Sequence, residues 1–254
     1  MLNKESIEKK LTELGVDLPK IMFYDCVDST NTRAKEYAKE HPDERCPVVF
    51  IANQQTSGRG RLGRSFVSNE NAGIYISILT FPDKNGADAT KSTTRAAVLL
   101  SKSIEEVCNC HIKIKWVNDL YLNDKKLAGI LTEGEMSNSG KIDYQVVGMG
   151  INVYRNAISE EISDIATSIE GEEILPPNRA DLAALIIKNF LYDESDCYVE
   201  YKDRSLIISK NVTVVKLTES YPAKVLDINP DYSLKIQTEN GIENLFTGEI
   251  SIRI

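Results

Sequence analysis

One glycine- and arginine-rich stretch, TSGRGRLGR at 56–64, restricts the fold of this chain more than any other segment. Gly58, Gly60 and Gly63 spell G-x-G-x-x-G, and Gly58 to Ser65 spells G-x-x-x-x-G-R-S, one residue short of a P-loop. Both motifs hold phosphate at the N-terminus of a helix that follows the glycines directly. The strand that must come first is present in PVVFIANQQ (47–55), a β-branched apolar run. The helix is not: SFVSNENAG (65–73) has no helical apolar period and runs into GIYISILTFP (73–82), which alternates as a strand. The sequence therefore stands against a doubly wound dinucleotide fold and against a P-loop fold.

The physical content of the stretch survives without those labels. Glycines admit positive φ, so successive backbone NH groups can face one concavity. Arg59, Arg61 and Arg64 supply permanently charged planar forks suited to carboxylate and phosphate. The pattern fits a mobile anion clamp, and it also fits a solvated turn with scattered charge. The surroundings make the arginines conspicuous, because the net charge is −8. That balance argues against broad nucleic-acid binding, which rests on phosphate neutralisation.

The 254-residue chain as a whole reads as one large unit and one small one. Residues 1–20 form a short amphipathic segment with Ile7, Leu11, Leu14 and Leu18 in register, and its removal is expected to leave activity intact. A strand at 21–27 precedes DSTN (28–31), where Asp28 or Ser29 can cap a helix over 32–41. A long helix spans 89–108, strands cover 111–116 and 144–153, and a hairpin turns across Asn123-Asp124-Lys125. Residues 154–178 read as loop and 179–201 as one helix. The last fifty residues change to short β-rich runs, as in a small barrel. No apolar run approaches membrane-span length, and five cysteines without C-x-x-C suit a reduced cytoplasm. No metal-ligand pattern emerges; Cys108 and Cys110 alone are too few for structural zinc.

A second constellation, KWVNDLYLNDKKLAGIL (115–131), carries Lys115, Asn118, Asp119 and Lys126. Lys126 stands among Leu127, Ala128, Ile130 and Leu131, where a lone amine is costly unless it meets an anion. Gly129, inside a strand pattern, marks a close approach of backbone or ligand.

Taken in order, DSTN (28–31), QTSGRGRLGR (55–64), KWVND (115–119), KLAGIL (126–131), GMGIN (148–152) and FTGEIS (246–251) resemble the biotin–protein ligases. The resemblance implies an α+β fold: a mixed sheet flanked by helices, similar to class II aminoacyl-tRNA synthetases and lipoate ligases, followed by a small SH3-like β-barrel. It implies a catalytic unit over 1–204 and the barrel over 205–254. Only about twenty residues precede the first strand of the catalytic unit, which implies the type without an N-terminal DNA-binding module. The reaction implied joins biotin to ATP as biotinyl-5′-AMP, with Mg²⁺, and passes biotin to a lysine of a carboxylase's carrier domain. No nucleic acid or membrane partner is implied, and both monomer and homodimer stay open.

The same resemblance carries roles onto this sequence. Ser29, Thr30 and Gln55 would bind the ureido ring, while Gly58, Arg59, Arg61 and Gly129 would line biotin and the acyl phosphate. Lys126 would bridge carboxylate and α-phosphate, with Arg61 and Lys115 screening charge. Arg64, Asn118 and Asn152 would contact the nucleotide side, and Asp119 would orient or deprotonate the incoming lysine. Metal ligands stay unassigned. Val117 stands where the family has proline and Phe66 where tryptophan is common. A lipoate or octanoate ligase, a non-catalytic biotin sensor and a nucleic-acid-binding regulator are the competing readings.

Overall fold

The β-branched runs condense into a mixed sheet whose strand order is β1-β2-β3-β7-β6-β5-β4. The strands are β1 (Lys20–Tyr24), β2 (Val48–Ala52), β3 (Gly73–Thr80), β4 (Lys113–Lys115), β5 (Asp119–Leu122), β6 (Lys125–Met136) and β7 (Ile142–Asn152). The computed structural model describes every residue except 83–88, 137–141, 172–173, 217–218, 247–250 and 254, and not the side chains of 136 and 251–253. Among those strands only β1 and β2 pair in parallel. The β5–β6 hairpin turns on Asn123 and Asp124 alone, at φ 49° and 61°. Two left-handed residues suit the twist of a two-residue hairpin, and Asn and Asp tolerate that region.

Strand alternation divides the core. Val49, Ile51, Ile74, Ile76 and Ile78 face α1 (Lys4–Glu13), α3 (Ala89–Val107) and α4 (Arg179–Tyr192). Val48, Phe50, Leu79 and Val146 face α2 (Thr30–Glu40), which contributes Ala34, Tyr37 and Ala38. Helix α1 is capped by Asn3, whose Oδ1 accepts from Ser6 N at 2.8 Å, and it packs on α4. Leu2, Ile7 and Leu11 are fully buried there, so the N-terminal segment is part of the core.

The helix expected over 179–201 is two helices, α4 and α5 (Tyr198–Asp203). Asp193 Oδ1 accepts from Ser195 N (2.8 Å), and Asp196 Oδ1 accepts from Tyr198 N (3.0 Å). Aspartates that bond backbone amides two residues on compete with the helix ladder and end it. After α5, an antiparallel sheet runs in the order β11-β10-β9-β8-β12. Its strands are β8 (Asn211–Val215), β9 (Ser220–Ile228), β10 (Leu234–Thr238), β11 (Gly241–Leu245) and β12 (Ser251–Arg253). This is the small C-terminal β unit that the composition change announces. Most of FTGEIS lies outside the described residues. Among the described residues, no helix is long and apolar enough to cross a membrane.

Candidate active site

A cavity of about 160 Å³ opens between the N-terminus of α2, the glycine-arginine loop and the β5–β6–β7 face of the sheet. Its floor is cleared by glycine. Gly129 and Gly150 pair across β6 and β7, and Gly148 pairs with Leu131. A methyl group on Gly150 would run into the Phe66 ring, and one on Gly148 into the Asn31 carboxamide. One on Gly129 would sit 3.3 Å from Lys126 Nζ. At Gly148 and Gly150 the strand can therefore carry only hydrogen, because Asn31 and Phe66 already occupy the space above it.

The loop closes over that floor without a helix. Its only regular piece is a 3-10 turn at Arg61–Gly63, with Leu62 at φ 56° and Gly63 at φ 73°. Gly60 N donates to Arg64 O (2.7 Å) and Phe66 N to Gly58 O (2.9 Å), so the segment folds back on itself as a narrow hairpin. Neither phosphate motif has its helix.

Two groups of side chains stand at the cavity wall or directly behind it. The first is a polar string. Thr30 N donates to Gln55 Oε1 (2.8 Å), whose Nε2 donates to Ser68 Oγ (2.9 Å), whose hydroxyl donates to Phe66 O (3.1 Å). Ser77 Oγ lies 2.7 Å from Thr30 Oγ1 and donates to Asn31 Oδ1 at 2.6 Å. Asn31 Nδ2 donates to Glu133 Oε2 (2.9 Å), and Lys35 Nζ donates to Glu133 Oε1 (2.7 Å). Burial pushes the Glu133 carboxyl up, but Lys35 and Asn31 outweigh it and hold it below the usual carboxylate range. Ser29 caps α2 by position, yet its side chain makes no cap hydrogen bond and faces the cavity.

The second group is charged. Lys126 Nζ meets Asp119 Oδ1 at 2.7 Å, so the anion its apolar neighbours demand is present within the chain. Asn118 Nδ2 donates to Ile130 O (2.9 Å), and Asn118 Oδ1 accepts from an Arg61 nitrogen at 3.1 Å. Burial lowers the Arg61 guanidinium from its ordinary value, and Asp119 pulls it back up. Lys115 Nζ lies 5.7 Å from the centre of the Tyr121 ring. Arg59 reaches Glu133 at 3.8 Å, which ties the loop to the polar string.

The structure thus brings Ser29, Thr30, Gln55, Arg59, Arg61, Arg64, Lys115, Asn118, Asp119, Lys126 and Gly129 to one cavity. Gly58 and Asn152 stand apart from its wall. Gly58 lets Phe66 O and Ser68 approach its own backbone. Asn152 is buried and donates to Thr167 O (3.1 Å), while Lys126 N donates to Ile165 O (2.9 Å) and Thr167 N to Lys126 O (2.9 Å). Asn152 therefore straps the 165–167 segment against Lys126. Sequence reasoning passed over Asn31, Phe66, Trp116, Leu131, Gly148, Met149 and Gly150, which also line the cavity. Six of them lie inside quoted motifs: Asn31 in DSTN, Trp116 in KWVND, Leu131 in KLAGIL, and Gly148, Met149 and Gly150 in GMGIN. The Trp116–Val117 peptide is cis.

Asp119 is the one carboxylate on this wall among the described residues. No group of three His, Cys, Asp or Glu side chains converges there or elsewhere among them. A wall with one carboxylate and several cations suits an anionic ligand.

Comparisons with known proteins point the same way. Residues 23–152 match the biotin/lipoate A/B protein ligase family. The chain is 31% identical to the bifunctional ligase/repressor BirA of Bacillus subtilis (strain 168), over 91% of this chain and 74% of that protein. It is 33% identical to a biotin–[acetyl-CoA-carboxylase] ligase of Paracoccus denitrificans, over 57% of this chain and 60% of the other. Among solved structures, the biotin protein ligase from Aquifex aeolicus in complex with biotin and ATP superposes with a TM-score of 0.76 at 27% identity. That match covers 93% of this chain and 99% of that one.

Proposed function

The chain belongs to the biotin/lipoate A/B protein ligase family, and we propose that its cavity makes biotinyl-5′-AMP from biotin and ATP and passes biotin to a protein lysine. The observation that carries this reading is the pairing, in one cavity, of the neutral hydrogen-bonding side chains Ser29, Thr30, Asn31 and Gln55 with a cluster of cations. Biotin has that polarity: a neutral ureido ring at one end and a carboxylate at the other. Thr30, Gln55 and Ser29 are the groups for the ring. Arg61 and Lys126 are the groups for the carboxylate and the α-phosphate.

The chemistry follows from charge. The carboxylate oxygen attacks the α-phosphorus, a P–O bond forms, and pyrophosphate leaves with the bond that breaks. Two anions must approach, so positioned cations lower the barrier most where charge gathers in the transition state. A lysine amine of the carrier domain then attacks the acyl carbon, and AMP leaves. Asp119 is the carboxylate that would take or orient the amine's proton; free lysine titrates near ~10.4 and needs such help at neutral pH. Asp119, the one carboxylate on the wall among the described residues, is the side chain that would hold Mg²⁺ brought in with the triphosphate, and the ion would supply further charge screening. Arg64, Asn118 and Lys115 serve the nucleotide side in this reading, and Arg59 and Gly58 hold the loop. Asn152 acts there through the 165–167 strap. We read residues 1–204 as the unit that binds both substrates and 205–254 as the appended β unit.

Lipoate lacks ureido hydrogen-bonding groups and would leave the Thr30–Gln55 string without a ligand partner, so biotin is favoured over it. The test supplies ATP, Mg²⁺ and either biotin or lipoate. It follows pyrophosphate release and label transfer to a biotin carrier domain. Turnover with biotin supports the proposal; turnover with lipoate alone, or with neither, overturns it.

A further inference from the structure

The corner at Trp116–Val117 joins the cavity to a part of the molecule with no place in the chemistry above. Trp116 lines the cavity wall and is buried, and its indole Nε1 donates to Tyr232 O at 2.9 Å. Tyr232 lies between β9 and β10 of the C-terminal sheet. One residue on, Val117 O accepts from the hydroxyl of Tyr201 at 3.0 Å. Tyr201, in α5, is completely buried, and its ring meets the Tyr232 ring edge to face at 5.5 Å. The next two residues are Asn118, which holds Arg61, and Asp119, which holds Lys126.

We propose that Tyr201 is a positioning residue for adenylate formation: with the Tyr232 carbonyl it clamps the Trp116–Val117 corner, and so sets where Asn118 and Asp119 hold Arg61 and Lys126. The clamp rests on the ligase reading for its consequence but on geometry for its existence. It reaches the cation cluster and not the Thr30–Gln55 string, which is built on α2 and the loop. Its loss should therefore slow chemistry and spare recognition of the ring. A buried carbonyl that loses its donor rearranges to find another, and the corner moves with it.

The arrangement includes its own control. Tyr198 also packs on Tyr232, with ring centroids 5.8 Å apart, but its hydroxyl donates to Ile228 O and not to the 116–117 corner. Trp116 is the sole tryptophan of the chain, so intrinsic emission reports on the corner directly. The experiment compares wild type, Tyr201→Phe and Tyr198→Phe in biotin-dependent ATP–pyrophosphate exchange and in tryptophan emission. The expected result for Tyr201→Phe is a fall in kcat of about fivefold, the size of one buried hydrogen bond, with biotin KM within about twofold. Its emission shifts to the red, while Tyr198→Phe matches wild type in both readouts. If Tyr201→Phe keeps wild-type kcat, or both variants fall together, the clamp is refuted and the contact is packing alone. If wild type shows no biotin-dependent exchange, the ligase reading fails separately. The emission then decides: a shift confined to Tyr201→Phe keeps the clamp, and no shift removes it. Should Tyr201→Phe not fold, Trp116→Phe, which removes the indole donor, is read for the same split of kcat against KM.

Discussion

Gly148→Ala tests the architecture of the cavity with one methyl group. The added carbon would stand 2.8 Å from Asn31 Cγ and 3.0 Å from Asn31 Nδ2, well inside contact distance. Asn31 is buried and its carboxamide is held from two sides, by Ser77 and Glu133, so it must turn or be pushed toward the cavity. Turning it breaks two bonds, the one Ser77 donates to Asn31 Oδ1 (2.6 Å) and the one Asn31 Nδ2 donates to Glu133 (2.9 Å). The first is worth about 1 kcal/mol and the second, to a carboxylate, about 2 kcal/mol, giving a loss of about 3 kcal/mol. For a chain of this size each kcal/mol lowers Tm by about 2–4 °C, so scanning calorimetry should record a fall of about 6–12 °C. Biotin affinity, measured by titration calorimetry, should fall as well. Asn31→Ala loses the same bonds without a clash. The double variant should therefore be no less stable than Asn31→Ala alone, because the second change has nothing left to break. A Gly148→Ala protein that melts within about 2 °C of wild type, or a double variant whose losses simply add, would refute the reasoning.

Three further perturbations follow from the same structure. Lys126→Ala should lower adenylate formation by about 10²–10³ while the fold persists, since the ion pair it leaves is partly exposed; near-normal pyrophosphate exchange would take Lys126 out of the mechanism. Deleting residues 1–13 uncovers the pocket of Leu2, Ile7 and Leu11, worth roughly 5–9 kcal/mol of transfer as an upper bound, and an unchanged melting curve would show that α1 does not belong to the core. Arg204 grips Glu105 and Glu200 at 2.7 Å each; burial pushes both carboxyls up, and Arg204 outweighs it for Glu105, Lys102 with Arg204 for Glu200, holding both low. Their contribution is present above the free glutamate value of about 4.3 and is lost as pH falls through the depressed folded values. The stability gap between wild type and Arg204→Met should therefore close in acid, and a gap that stays constant to pH 3 would count against it.

Much of this could be read along the chain, and the reason differs by element. The strands β2 and β3 are legible because burial on both faces enriches them in β-branched residues. The loop is legible because Gly and Arg have few other reasons to alternate in an acidic chain. Lys126 is legible as an amine in need of an anion, although only the fold names Asp119 as that anion. The break between α4 and α5 hides in DESDC, where aspartates read as solvated helix surface until their oxygens are seen on backbone amides. Glu133 and Asn31 are illegible together: they are 102 positions apart, and neither is unusual in its own neighbourhood. Asn152 belongs to a recognisable motif, yet the bond to Thr167 that explains its burial joins β7 to a loop with no periodicity at all.

The polar string has one end that cannot be reversed. The Lys35 ammonium can only donate and the Glu133 carboxylate can only accept, so Asn31 must turn its amide toward Glu133 and its carbonyl toward Ser77. Ser77 then spends its proton on Asn31, and its oxygen is left to receive. Thr30 Oγ1 donates to Gln55 Oε1 at 3.1 Å, so its proton is committed within the string. What Thr30 presents to the cavity is a lone pair. Proton order set by a partly exposed lysine is handed inward, residue by residue, and in the proposed reading it matches Thr30 to a ureido N–H, which donates.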